Sequence, residues 1–427
     1  MSISTFRTRR AFMFFCFVLL LTSLFSPYKA FASDKKKQIS LTREKILELS
    51  SQNYLAVQEQ HLQVQLDSAQ LRYVEGQREE LGSFNKPVIN KLPTTIEELK
   101  LLVPEYDNMT DEERQEIDGL LMIQAMINAS MNNMIEAQAN YQYTAGIQQW
   151  SNQLDTLDQE VDNGNHNVKM SKLEKEKLEL AAQLSAVQSY YEIMKLQIDI
   201  HAAQYEVTLA RTKIKDVERL YELGLATRNE IDQAKQSLAQ HEQNVNRLNM
   251  QVNEKQELFK QSLGIKKDES IILPDVKNMQ PTYHTAAIEV NKQIDHIKAE
   301  ETISHVKTRL EAARGDWLLI DYLNTLLVVE VERKEIIEQW LDQKILLINN
   351  EENIITMRIK ELESQKAEQT IRLEDYKKLY FTGHVSARDH EAVGHDLARL
   401  NFTLEKEKLE YFIWQEKKRA AILGFIQ

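Results

Sequence analysis

Two histidines flank a glutamate in His390-Glu391-Ala392-Val393-Gly394-His395, the composition of a zinc peptidase site. That chemistry needs its histidines at i and i+4, on one helical face. Here the spacing is i and i+5, which sets the rings about 140° apart around a helix, too far round to share one ion. The methionines gathered after Thr110 suit pliable packing, because thioether metal sites need clustered sulfurs with open access. No nucleophile elbow or glycine-rich phosphate loop is present. The single cysteine, Cys16, sits in an apolar run near the N-terminus. The chain is therefore expected to be no enzyme, with no cofactor and no metal. What remains is a pair of acids, Glu230 and Asp389, each six residues after a glycine.

The elements that position those acids are two turns. In Leu220-Tyr221-Glu222-Leu223-Gly224-Leu225-Ala226-Thr227-Arg228-Asn229-Glu230 a glycine follows an apolar helical pattern and can take the left-handed conformation that ends a helix. Thr227 with Glu230 is a capping box that starts the next. Downstream, Ile231, Leu238, Val245, Val252 and Phe259 recur every seventh residue. Upstream, Leu184, Tyr191, Ile198 and Tyr205 do the same, interleaved with Leu180, Val187 and Met194. A seven-residue apolar repeat is a coiled-coil seam, so the spacing predicts a long antiparallel hairpin. With about 40 to 50 residues per arm it would reach about 60 to 75 Å.

The device recurs at Leu379-Tyr380-Phe381-Thr382-Gly383-His384-Val385-Ser386-Ala387-Arg388-Asp389. Leu341, Ile348, Ile355 and Leu362 hold a heptad position before it, and Leu397, Leu404 and Tyr411 after it. Both halves close on Leu-Gly, at Leu263-Gly264 and Leu423-Gly424, which predicts an internal duplication.

Two turns of the form Leu-Tyr-x-x-Gly-x-x-Ser/Thr-x-x-Asp/Glu, each followed by a long helix ending in Leu-Gly, resemble the TolC-type outer-membrane efflux family. The opening Leu41-Thr42-Arg43-Glu44-Lys45-Ile46-Leu47-Glu48-Leu49 is similar to that family's start. The likeness is clear over about residues 170–265 and 335–425. It implies an all-α protomer of two tandem repeats of long coiled-coil hairpins, a TolC-like α-barrel with little or no β-structure. It also implies a homotrimeric conduit working with an adaptor (membrane fusion) protein and an inner-membrane pump. By the same resemblance Gly224, Leu225, Thr227, Glu230, Gly383, Ser386 and Arg388 are tip residues that meet the partner, and Asp389 matches an acid narrowing the entrance. Ala392 stands where the family has a second such acid, and His384 where it has an aliphatic residue. Read from the residues alone, Glu230 and Asp389 are capping partners that stabilise a helix start by about 0.5 to 2 kcal/mol.

The family's barrel strands are what this sequence lacks. A membrane hairpin needs two strands of about 9 to 11 alternating residues. Trp317-Leu318-Leu319-Ile320-Asp321-Tyr322-Leu323 offers one short candidate, and residues 79–170 read as helical and polar. The barrel is expected to be missing or vestigial, with direct membrane insertion doubtful. A non-transport coiled-coil scaffold or adaptor-like protein outside the cytoplasm is the alternative.

Composition and order agree with long helices. Of the 6 prolines none lies between Glu105 and Leu273 or after Thr282, and mean hydropathy is -0.47. Residues 1–32 read as a secretory leader, with Arg7, Arg9 and Arg10 before an apolar core and Ala30-Phe31-Ala32 at the cleavage site. Its removal would take the net charge from -12 to -16, against the basic footprint that nucleic acid demands. The expected location is the cell envelope: the outer membrane by the family resemblance, or the periplasmic or cell-wall side if no barrel forms.

The first repeat is expected over 33–264, with a helical insertion at about 79–168. A linker follows over 265–284, then the second repeat over 285–427. Within these, Leu41–Leu81 reads as one helix capped by Thr42, and Ser83–Pro104 as a loop with one short helix. A helix runs from Thr110 to about Ala139, and Val161–Asn167 reads as a turn. A further helix covers about Thr285–Ala313.

Overall fold

The computed structural model describes residues 38–273, 284–313 and 315–427. The leader expected over 1–32 and the linker prolines Pro274 and Pro281 lie outside the described residues. In chain order the elements are β1 (Gln38–Ser40), α1 (Arg43–Asn53), α2 (Leu55–Leu81), α3 (Ile96–Lys100), α4 (Asp111–Glu222) and α5 (Arg228–Ser262). Then come β2 (Ser270–Ile272), α6 (Ile294–Ala312), α7 (Trp317–Phe381) and α8 (Ala387–Ile422). The all-α, paired-hairpin architecture is as expected. Among the described residues the only strands are β1 and β2, a three-residue parallel pair in the register Gln38↔Ser270, and no barrel is closed.

Side-chain caps start all of these helices but α2 and α6, satisfying amides that the first turn leaves free. Thr42 accepts from Lys45 N, Asp316 from Leu319 N and Ser386 from Asp389 N. Thr95, Thr110 and Thr227 form reciprocal boxes with Glu98, Glu113 and Glu230. With no proline inside, α4 continues for 112 residues and α7 for 65.

Packing orders the helices into a single layer. Towards the turns the order is α5, α4, α8, α7; at the other end it is α2, α4, α6, α7. The two arrangements meet at a waist, where Leu41, Ile46, Val187, Tyr190, Met194 and Leu409 are fully or nearly fully buried. Within that waist Glu416, 3 % exposed, binds Arg43 through a bidentate pair and Arg419 at 2.9 Å.

Several expected boundaries move. The helix expected from Leu41 to Leu81 breaks at Tyr54, which is extended (φ -66, ψ 124). The break lets Asn53 Nδ2 donate to Leu263 O, and the Asn53 side chain lies against Gly264. No turn forms at Val161–Asn167, and the helix does not stop near Ala139, because α4 runs through both. Gly164 is instead a close approach, since a Cβ there would sit 3.0 Å from Leu71 Cδ1. His166 lies flat on the His305 ring at 4.1 Å.

The helix expected from Thr285 starts only at Ile294, after a short 3-10 turn at Val290–Lys292. Trp317–Leu323, the candidate strand, forms the first turns of α7. The arms are also unequal: α5 and α8 have 35 and 36 residues, about 50 Å each, against the far longer α4 and α7.

Candidate functional site at the hairpin tips

Each tip is built by the same backbone chemistry. Gly224 takes φ 73 and Gly383 φ 77, a region that only glycine enters cheaply. Leu225 N then reaches Leu220 O at 2.8 Å and Gly224 N reaches Tyr221 O at 2.9 Å. At the second tip His384 N reaches Leu379 O at 2.8 Å and Gly383 N reaches Tyr380 O at 3.0 Å. These paired bonds satisfy the last carbonyls of α4 and α7, and two residues later a cap opens the returning helix.

Both acids are engaged in those caps. Glu230 accepts from Thr227 N at 2.6 Å and from Thr227 Oγ1 at 2.9 Å, bonds that hold its carboxyl below the usual carboxylate range. Asp389 accepts from Ser386 Oγ at 2.6 Å while its own N–H donates to Ser386 Oγ. Leu225, Arg388 and both acids are exposed, and so are the apolar Leu220, Tyr221, Leu223, Leu379, Tyr380 and Phe381. The structure brings together Thr227 with Glu230 and Ser386 with Asp389.

The tips lie at one end of the molecule. The hairpins join where Tyr205 Oη meets His395 Nδ1 at 2.5 Å, and where Arg399 grips Glu206 with bonds of 2.9 and 3.2 Å. Sixteen residues of α4 follow Glu206 and twelve of α8 precede Arg399, so the first tip projects about 6 Å further. The same register separates the two histidines of the declined zinc motif, since His390 stacks on Tyr380 and His395 bonds Tyr205. Among the described residues no group of three or more His, Cys, Asp or Glu could hold a metal.

Sequence reasoning missed the Arg43–Glu416–Arg419 cluster that fixes the waist behind the tips. Its one local signal is the i, i+3 pair Glu416 and Arg419, which begins two residues after the apolar run Phe412-Ile413-Trp414 ends.

No family model and no curated protein matches the chain. Solved structures do. CusC, whose crystal structures address folding and transmembrane channel formation, aligns with a TM-score of 0.59 at 10% identity, covering 93% of this chain and 95% of its own. The CmeC outer membrane channel of Campylobacter jejuni aligns at 0.52 with 12% identity and 94% of each chain. The open-state MtrE outer membrane channel of Neisseria gonorrhoeae aligns at 0.51 with 10% identity, over 94% of this chain and 95% of its own. These neighbours are channels rather than enzymes, and at such identities the likeness is one of architecture. This chain has the long-hairpin fold of the TolC-type outer-membrane efflux channels.

Proposed function

We propose that this chain is one protomer of a trimeric helical duct in the cell envelope, exported by its N-terminal leader and working with an inner-membrane transporter and an adaptor. The observation that carries the reading is the layer itself, two hairpins side by side with tips at one end and both outer edges bare. One edge exposes Trp317, Tyr322, Ile336 and Leu346 of α7; the other exposes Leu62, Leu66 and Tyr73 of α2. A compact monomer of 49.8 kDa would expose about 17,000 Å². This chain exposes 30152 Å². Joining the α7 edge of one copy to the α2–α5 edge of the next would bury part of that excess in a head-to-tail contact, which closes when the rotation per copy permits.

In such a ring the tips converge. Gly224, Leu225, Thr227, Glu230, Gly383, Ser386 and Arg388 meet the adaptor there, and Asp389 narrows the entrance. The exposed Tyr380 and Phe381 give that contact an apolar anchor. The repeat boundaries, 33–264 and 285–427, follow from the shared turn and end chemistry of the two halves. No described helix is long and apolar enough to cross a membrane.

One observation favours a second reading, a non-transport scaffold of the envelope: among the described residues the end opposite the tips is built of helices and one irregular segment, with no strand there. Sedimentation equilibrium of the exported protein separates the cases. A trimer is expected, and a strictly monomeric species at micromolar concentration overturns the duct. Trimers without efflux capacity in cells lacking and regaining this chain would favour the scaffold.

A further inference from the structure

At the end opposite the tips α4 outruns the rest of the molecule. α2 ends at Leu81, where Trp150 Nε1 donates to Gly82 O at 3.2 Å, and α6 gives way to α7 between Ala312 and Trp317. From Trp150 back to Asp111 the helix projects for about 60 Å. Residues 83–108 return along one of its faces. There Asn132 accepts from Leu92 N at 2.8 Å and donates to Leu92 O at 2.9 Å, and Asn128 donates to Pro93 O at 2.7 Å. Both asparagines are buried by this strap.

The strap leaves another face bare. Leu120, Ile127, Met134 and Tyr141 recur every seventh residue and are 59, 47, 70 and 77 % exposed. Ile123 and Met131 fall in the same arc, about 80° wide. Three successive heptads on one face are the signature of a coiled-coil strand. Between Gly119 and Leu154 the only charge is Glu136, and Lys91 of the strap neutralises it at 3.2 Å.

We propose that this seam packs against the same segment of neighbouring copies, as parallel helices around a common axis. The charge pattern selects that occupant. Identical strands set side by side confront every charge with its like, so a seam whose single charge is already paired within the chain suits self-association. A lipid surface fits less well. Membrane-surface helices carry Lys and Arg on the polar face to hold headgroups, and no Lys or Arg occurs between Arg114 and Lys169.

The inference rests on the oligomeric reading above, and the test separates them. In the full chain with Cys16→Ser, Ile127→Cys places a thiol in the seam and Asn133→Cys places one on another exposed face. In a parallel coil, seam positions of adjacent strands approach within disulfide range. After mild oxidation, a disulfide-linked dimer band is expected for Ile127→Cys and none for Asn133→Cys, with unchanged far-ultraviolet circular dichroism. A trimeric parent in which Ile127→Cys fails to crosslink overturns the seam and leaves the duct standing. A monomeric parent overturns both. Co-flotation of the parent with phosphatidylglycerol–phosphatidylcholine vesicles, lost on Ile127→Asp, overturns self-packing in favour of lipid.

Discussion

In the first half of the chain Asn53 donates to Leu263 O at the end of α5; in the second, Gln293 donates to Ala421 O at the end of α8. Both helices close with the same paired bonds, Ile265 N to Lys260 O and Phe425 N to Ala420 O, each 2.9 Å. Away from the tips and waist the halves diverge. The first sends α4 and its strap outward for tens of residues, whereas the second turns between Ala312 and Trp317. At the waist the common parts are those where helix ends would leave carbonyls unsatisfied inside the protein, a cost each half must meet. The far end carries no such obligation, so there the halves could take different forms.

The comparison breaks hardest at the cluster that joins the halves. Glu416→Ala removes the buried carboxylate that Arg43 and Arg419 share, leaving them only Glu44 at 3.8 Å and the Gln183 amide at 3.2 Å, and a loss of about 3 kcal/mol is expected, read as a lower urea midpoint. Arg43→Met combined with Glu416→Leu should recover much of it. The amide clamps come next. Gln293, 1 % exposed, should lose about 1 to 3 kcal/mol on Gln293→Ala, and the less buried Asn53 less on Asn53→Ala. Equal losses would mean that burial does not separate the clamps.

At the tips, Gly224→Ala and Gly383→Ala should each cost about 1 to 2 kcal/mol from the left-handed backbone alone, since an added Cβ meets nothing within 4 Å. Unequal costs would show the tips to be less alike than their hydrogen bonds. The smallest effect is that of pH on the contact between α4 and α6. Burial, then the His305 ring, holds the His166 imidazole below its ordinary range, against weaker opposition from Glu301 and Asp162. The unfolded chain takes up that proton first as pH falls, so stability should drop below about pH 6.5 and stay level above it. His166→Phe should flatten that slope.

Much of this fold was legible because its signals are local. Thr227 with Glu230, Ser386 with Asp389 and the heptads around them specify turns and seams within a few residues, and the structure builds those turns and caps. The errors fall where distant partners decide. Val161-Asp162-Asn163-Gly164-Asn165-His166-Asn167 has the composition of a turn, yet Leu71 occupies the space that Gly164 leaves and His305 stacks on His166. Tyr54 breaks a continuous helical pattern because Asn53 reaches a carbonyl 210 residues away. At the tips the caps could be read from spacing, but the offset between the hairpins depends on Arg399 meeting Glu206, 193 residues apart. No periodicity encodes that register.

The uninterrupted α4 has a mechanical corollary. Between Asp111 and Glu222 it offers no proline and no change of helix type at which bending or twist could be absorbed. It therefore ties the tip at Gly224, the buried waist and the seam around Ile127 into one rod, so that a tilt imposed on the waist at one end swings the other. Glycines in place of the exposed Asn152 and Gln153 would introduce a bend point between the waist and the seam while keeping the helix in register.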